Sequence, residues 1–186
     1  MEKTTALFFF FLIFAILQAD SQNQKMQHSS KELTMLSLGD SYTIGERVDE
    51  ADRFPNQTVL LLHSKGIYFE KPKIIATTGW TTDELLHAIQ QENIQQTFDF
   101  VTLLIGVNNQ YRGRNAEEYR KEFVQLLELA ITFSGNKKNH VIVLSIPDWG
   151  ATPFAEGSDR RKVAAEIDLF NSINKEESIN RGVHYI

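Results

Sequence analysis

The sequence predicts an α/β protein: a doubly wound, three-layer α/β/α sandwich on a parallel sheet of about five strands. Three observations lead there. From Leu33 onward, short apolar runs alternate with longer amphipathic ones, the pattern of successive βαβ units. Several of the short runs are almost continuously hydrophobic, which suits strands covered on both faces. The conspicuous polar clusters follow these runs, as functional loops follow parallel strands at their carboxyl ends.

The strands are expected at 33–40 (LTMLSLGD), 73–79 (KIIATTG), 98–106 (FDFVTLLIG) and 140–148 (HVIVLSIPD), with a fifth opening at 183–186 (VHYI). Helices are expected between them. The first begins near Phe54-Pro55 and fills much of 53–65. The second is capped by Thr81 or Thr82, with acids in its first turn. The third opens at Asn115 and gathers Tyr119, Phe123, Leu126, Leu127, Ala130 and Ile131 on one face. The fourth opens at Ser158 and aligns Val163, Ile167 and Phe170.

The amino-terminal segment differs in kind. Ala6 to Leu17 is an unbroken apolar run of 12 residues behind Lys3. That is shorter than the roughly 20 residues of a membrane span and fits a signal-peptide core. The expected organisation is a signal peptide at 1–19, a polar linker at 20–32 and one domain at 33–186, in a secreted or periplasmic protein. The net charge of −5 and the short basic runs Lys137-Lys138 and Arg160-Arg161-Lys162 argue against a nucleic-acid surface. The chain has no cysteine, which excludes disulfides, a thiol nucleophile, thiolate metal sites and a lipid anchor on cysteine.

Four loops carry the chemistry: GDSYTIG after the first strand, TTGWTTDE after the second, GVNNQYRGRN after the third and PDWGATPFAEG after the fourth. A parallel sheet brings them to one rim. There Ser41 offers a hydroxyl nucleophile and its own backbone N–H. Gly79 offers an N–H that an acyl oxygen can approach closely, and Asn108 a neutral side-chain amide donor. Such a set suits a nucleophile beside an oxyanion hole. Taken singly, each residue reads as a turn or cap residue: Ser41 as a helix N-cap, Gly79 as a turn glycine, Asn108 as an Asx-turn. Tyr111, Arg112, Trp149 and Phe154 stand in the same loops, as groove-shaping residues or as loop anchors. The G-x-S-x-G elbow is absent because Thr43 occupies its second glycine position. Neither phosphate-binding glycine motif occurs.

Gly39-Asp40-Ser41, Gly79 and Gly106-Val107-Asn108, in this order and each closing an expected strand, resemble the SGNH (GDSL-type) hydrolases over residues 33–186. The resemblance implies a flavodoxin-like sheet and hydrolysis of ester bonds through a serine acyl-enzyme, with no cofactor or metal. It implies Ser41 as nucleophile, and the Ser41 N–H, Gly79 and Asn108 as oxyanion donors. The substrates would be small-molecule, carbohydrate or lipid esters.

Two departures stand out. Asn109 follows Asn108 where the family commonly has Asp. The family's Asp-x-x-His pair, expected shortly after the fifth strand, occurs nowhere in the sequence. His63 and His87 fall in helices, His140 at the amino end of a strand, His184 inside the fifth strand and His28 in the linker. Asp148 fits a loop-shaping turn. The chain is therefore expected to be truncated before its catalytic Asp and His and to be nearly inactive as it stands. The alternative is an inactive ligand- or carbohydrate-binding module of the same fold.

Overall fold

The computed structural model describes residues 32–186; the expected signal peptide and all of the linker but Glu32 lie outside them. Leu33–Ile186 form one compact unit. Five strands, β1 (Met35–Gly39), β2 (Lys73–Ala76), β3 (Phe100–Leu104), β4 (Val141–Val143) and β5 (His184–Tyr185), make one sheet in the order β2-β1-β3-β4-β5. Every pairing is parallel. This is the flavodoxin-like order, in which the chain winds outward in both directions from β1.

Six α-helices are described: α1 (Ser41–Ile44), α2 (Phe54–His63), α3 (Thr82–Glu92), α4 (Val107–Tyr111), α5 (Ala116–Phe133) and α6 (Arg160–Arg181). Two of the long ones, α3 and α5, begin where the sequence places caps, and α6 is capped by Asp159, one residue after the expected Ser158. Thr81 and Glu84 close a capping box on α3, Asn115 Oδ1 accepts from the Glu117 and Glu118 N–H groups, and Asp159 accepts from Lys162 N–H. Gly182, at φ +73°, ends α6.

The register sorts the strand side chains onto two faces. Leu36, Leu38, Ile75, Val101, Leu103, Val141 and Val143 point one way and join the main core with Leu85 and Ile89 of α3. The α5 stripe of Tyr119, Phe123, Leu126, Leu127, Ala130 and Ile131 completes it with Val163, Ile167 and Phe170 of α6. All these helix residues are buried, and each fully buried Leu, Ile or Phe stabilises by roughly 1.5–3 kcal/mol. Met35 points the other way, where it packs with Val59 of α2 and Phe69. On that second face the Thr102 hydroxyl donates to Ser37 Oγ at 2.9 Å, satisfying two buried polar groups. Over β4 the same face is less covered: Ile142 and Leu144 are half-buried, and His184 beside Ile142 is exposed.

The strands are shorter than expected. The apolar run at 140–148 keeps only three ladder residues, Val141–Val143, although the Leu144 and Ser145 N–H groups still donate to the Leu103 and Ile186 carbonyls. The loop after β3 holds a short helix, α4, that was expected to be irregular. Among the described residues no helix is long and apolar enough to cross a membrane.

Candidate active site

Gly39 pairs with Ala76 on one side and Leu104 on the other. The three chain segments that leave this row carry Ser41, Gly79 and Asn108, so all three candidates emerge at one level of the carboxyl rim. Gly39 is glycine for lack of space. A Cβ there would lie 2.1 Å from Thr43 Oγ1 and 2.4 Å from the Leu104 carbonyl oxygen.

Ser41 is the first residue of α1, half-buried at the rim. The N-cap is Asp40, not Ser41: Asp40 Oδ1 accepts from the Tyr42 N–H at 3.0 Å, and the Asp40 carbonyl accepts from Thr43 and Ile44. The serine side chain is thereby released from capping, and its N–H, first in the helix, has no intrahelical acceptor. Asp40 is fully buried and its Oδ2 has no partner among the described residues. Burial pushes its carboxyl up to about 7 from an ordinary 3.8, against the lowering effect of the Tyr42 N–H. Burial also raises the Tyr42 phenol, with the Asp40 and Asp148 carboxylates adding to the shift. Asp148, in the loop after β4, is thus within electrostatic reach of the residue next to Ser41.

Gly79 sits at the third position of a turn closed by the Trp80 N–H on the Thr77 carbonyl at 3.3 Å. Its φ of +85° is the left-handed value that a type II turn requires there. Space is not the reason for this glycine, since a Cβ would meet only Arg112 Nη2, at 3.8 Å. The Gly79 N–H belongs to the turn's central peptide and lies outside the turn's own hydrogen bond.

Asn108 makes no Asx-turn. Its Nδ2 donates to the Trp80 carbonyl at 2.9 Å, which leaves one amide hydrogen for another acceptor. One turn on, Arg112 Nη2 donates to the Gly79 carbonyl at 2.6 Å, and Nη1 donates to Glu84 Oε1 at 3.3 Å. On the other side, the Thr78 hydroxyl donates to the Glu46 carboxylate just beyond α1. The loops bearing Ser41, Gly79 and Asn108 are thus stitched together by three side chains. The Thr78–Glu46 clasp was illegible in the sequence. For Arg112, the signal was its position four residues after Asn108, on the same helical face.

Asn109 is fully buried. Its Oδ1 accepts from the Thr82 N–H at 3.1 Å, and its Nδ2 donates to Thr82 Oγ1 at 2.7 Å. The Thr82 hydroxyl in turn donates a hydrogen bond to Glu122 Oε2. Asn109 therefore joins α4 to the start of α3 and faces away from the rim chemistry.

Residues 37–186 match the GDSL-like lipase/acylhydrolase family. The chain belongs to that family. It is a family of lipases and acylhydrolases, so ester hydrolysis is its general chemistry. No curated protein sequence matches the chain. Among solved structures it is similar to the SGNH-hydrolase family esterase AlinE4, at TM-score 0.65 and 18% identity over 84% of this chain and 76% of that one. It is also similar to a lipase/acylhydrolase from Enterococcus faecalis, at TM-score 0.61 and 20% identity over 83% and 75%. A third is the acetylxylan esterase Axe2 from Geobacillus stearothermophilus, at TM-score 0.62 and 17% identity over 83% and 75%. At these identities the likeness establishes the fold.

The histidines of the described family domain stand away from the rim. His63 Nε2 lies 2.9 Å from both the N and the O of Phe69. His140 Nδ1 pairs with the Asp99 carbonyl at 2.7 Å, and its ring stacks on Phe100 before β4 begins. His87 is exposed on α3 and His184 on β5. Asp148 Oδ1 accepts from the Gly150 N–H at 2.7 Å, the turn-shaping role its sequence suggests. Among the described residues no cluster of three or more His, Asp or Glu side chains is arranged to hold a metal ion. An open hollow of about 420 Å³ beside Lys73, Glu92 and Gln96 lies at the amino end of β2, away from these loops.

Proposed function

We propose that this family domain is a serine ester hydrolase in which Ser41 attacks the ester carbonyl. The observation that carries this reading is the Asn108 side chain. One of its amide hydrogens is fixed on the Trp80 carbonyl, which leaves the other available to an acceptor beside the loops of Ser41 and Gly79. A donor positioned before the reaction costs no reorganisation as charge develops.

In the proposed reaction, Ser41 Oγ forms a bond to the carbonyl carbon and its proton passes to a base. The carbonyl oxygen becomes an oxyanion held by the Ser41 N–H, the Gly79 N–H and the Asn108 amide. Collapse of this intermediate expels the alcohol, which takes up the proton, and leaves an acyl group on Ser41. Water then releases the carboxylic acid. No histidine of the described residues stands beside Ser41, so the base is proposed to come from outside residues 33–186. Without it, the oxyanion hole and binding alone retain about 10³–10⁴-fold catalysis over water. The esterase titles of AlinE4 and Axe2 support the ester as the bond class.

The test is acylation. The protein is incubated with p-nitrophenyl acetate and the modified residue is located by mass spectrometry. Acetyl on Ser41, absent from Ser41→Ala, is expected. Unmodified Ser41 after prolonged exposure, with no nitrophenol released, would leave the inactive binding module as the better reading.

A further inference from the structure

We propose that Tyr111, Trp149 and Phe154 form the wall that receives an apolar acyl chain of the ester, and that they set acyl-length preference. This rests on the reading of Ser41, Gly79 and Asn108 as the ester site and names what fills the space beside it.

The three rings are mutual neighbours. Tyr111 and Phe154 each meet Trp149 nearly edge-on, at centroid distances of 5.4 and 5.7 Å, and lie 6.1 Å from one another. Trp149 is the buried post, whereas Tyr111 is 57% and Phe154 70% exposed. Two aromatic rings left in water beside a third form an apolar patch with hydrocarbon still to cover. Its position follows from α4. Tyr111 lies three residues after Asn108, so both side chains share one helical face. The patch therefore continues from the oxyanion donor onto the loop after β4.

That loop is fixed before any substrate arrives. The Trp149 indole N–H donates to Gln110 Oε1 at 2.7 Å, and Gln110 Nε2 donates to Glu166 Oε2 at 2.7 Å. Thr152 Oγ1 donates to the Trp149 carbonyl and Arg160 Nη1 to the Gly150 carbonyl, each at 2.7 Å. These bonds bear on the occupant. The Gln110 amide, Asp148 Oδ1 and the Thr152 hydroxyl are engaged in holding the loop. The surface offered beside them is mainly the exposed ring carbon of Tyr111 and Phe154. The rings are inclined to each other by 39° to 68°, which makes an angled wall for a flexible chain. An acyl chain also brings no charge near Asp148.

The test separates this inference from the catalytic one. The Ser41→Ala protein, which cannot be acylated at Ser41, is titrated with methyl octanoate and methyl acetate while the fluorescence of Trp80 and Trp149 is followed. Burying several methylenes predicts at least about tenfold tighter binding of the octanoate. Phe154→Ala, at an exposed position, should remove most of that preference. Tyr111→Ala should act in the same direction. Equal affinity for the two esters, or a preference that both ring variants leave unchanged, overturns the proposal. A ring-dependent preference upholds it even where unmutated protein shows no acylation of Ser41; that pair of results would overturn only the hydrolase reading.

Discussion

Asn108 and Trp80, 28 residues apart in sequence, are joined by a 2.9 Å hydrogen bond from the side-chain amide to the backbone carbonyl. The bond orients the amide so that its second hydrogen has a fixed direction at the rim. It also ties α4 to the turn that presents the Gly79 N–H. In the proposed reaction one residue would thus serve as a donor and as the brace of a second donor.

Replacing Asn108 with Ala should remove both functions. The acylation rate of Ser41 by p-nitrophenyl acetate should fall about 10²–10³-fold, the range for loss of one oxyanion donor. Asn108→Asp should do no better, because a carboxylate can neither donate to Trp80 nor to an oxyanion. A fall of less than about threefold in both variants would remove Asn108 from the oxyanion hole.

Arg112 acts on the same turn from the next helical position. Its guanidinium holds the Gly79 carbonyl and reaches Glu84, whose other oxygen accepts from the Thr81 N–H at 2.8 Å. We expect Arg112→Ala to lower the acylation rate about tenfold while KM stays near its original value, since a misaimed donor weakens the transition state more than the ground state. Arg112→Lys should recover part of the rate, because an ammonium can reach one of the two acceptors but not both. The ion pair with Glu84 is substantially exposed on both sides, so the unfolding free energy from urea titration should change by less than about 1 kcal/mol. A rate loss matched by an equal stability loss would mean that Arg112 is only structural.

Much of this architecture was legible in the sequence because burial leaves a periodic trace. The α5 stripe from Tyr119 to Ile131 could be read directly from its spacing and is buried in the core. The parallel, doubly wound sheet followed from the alternation of strands and helices, whereas the strand order β2-β1-β3-β4-β5 is seen only in the structure. The rim was less legible. Ser41 was open to reading as an N-cap because a serine before a helix caps more often than it reacts, and only the structure gives that task to Asp40. Asn108 and Asn109 are adjacent and chemically identical, yet one faces the rim and the other is fully buried against Thr82. Helical phase decides between them, and α4 was expected to be irregular. The Thr78–Glu46 clasp joins residues 32 apart, a long-range pairing that leaves no local signal.

Asp40 should make the domain less stable as pH rises. Its carboxyl is raised to about 7 in the fold from an ordinary 3.8. Below about pH 4 both folded and unfolded states hold the proton, and burial costs nothing electrostatic. Between about 4 and 7 the unfolded chain releases the proton while the folded one keeps it, so stability falls with rising pH. Above 7 both are ionised and the loss is constant, on the order of 4 kcal/mol at most. Asp40→Asn keeps the Oδ1 acceptor for Tyr42 and removes the charge. Its urea unfolding should lose this downward slope, and its gain over the unmutated protein should grow from pH 4 to pH 7. A gain that is flat across that interval would mean that Asp40 does not titrate there.

Asn109 supplies a sharper test of the buried polar network. Thr82 Oγ1 receives a hydrogen from Asn109 Nδ2 and gives its own to Glu122. In Asn109→Asp two acceptors, the new carboxylate and Glu122, compete for the single Thr82 proton. The loser is left as an unpaired carboxylate oxygen, so the substitution should cost about 1–3 kcal/mol near neutral pH. Lowering the pH should recover part of the loss, because a protonated carboxyl regains a donor. Adding Glu122→Gln should also rescue it: the glutamine amide can donate to Thr82 Oγ1, which frees the hydroxyl to donate to the carboxylate. Chemical denaturation of the two single variants and the double variant measures this coupling directly. Additive losses would show that Asn109, Thr82 and Glu122 do not share one proton path, whereas a double variant more stable than Asn109→Asp alone is the outcome the geometry requires.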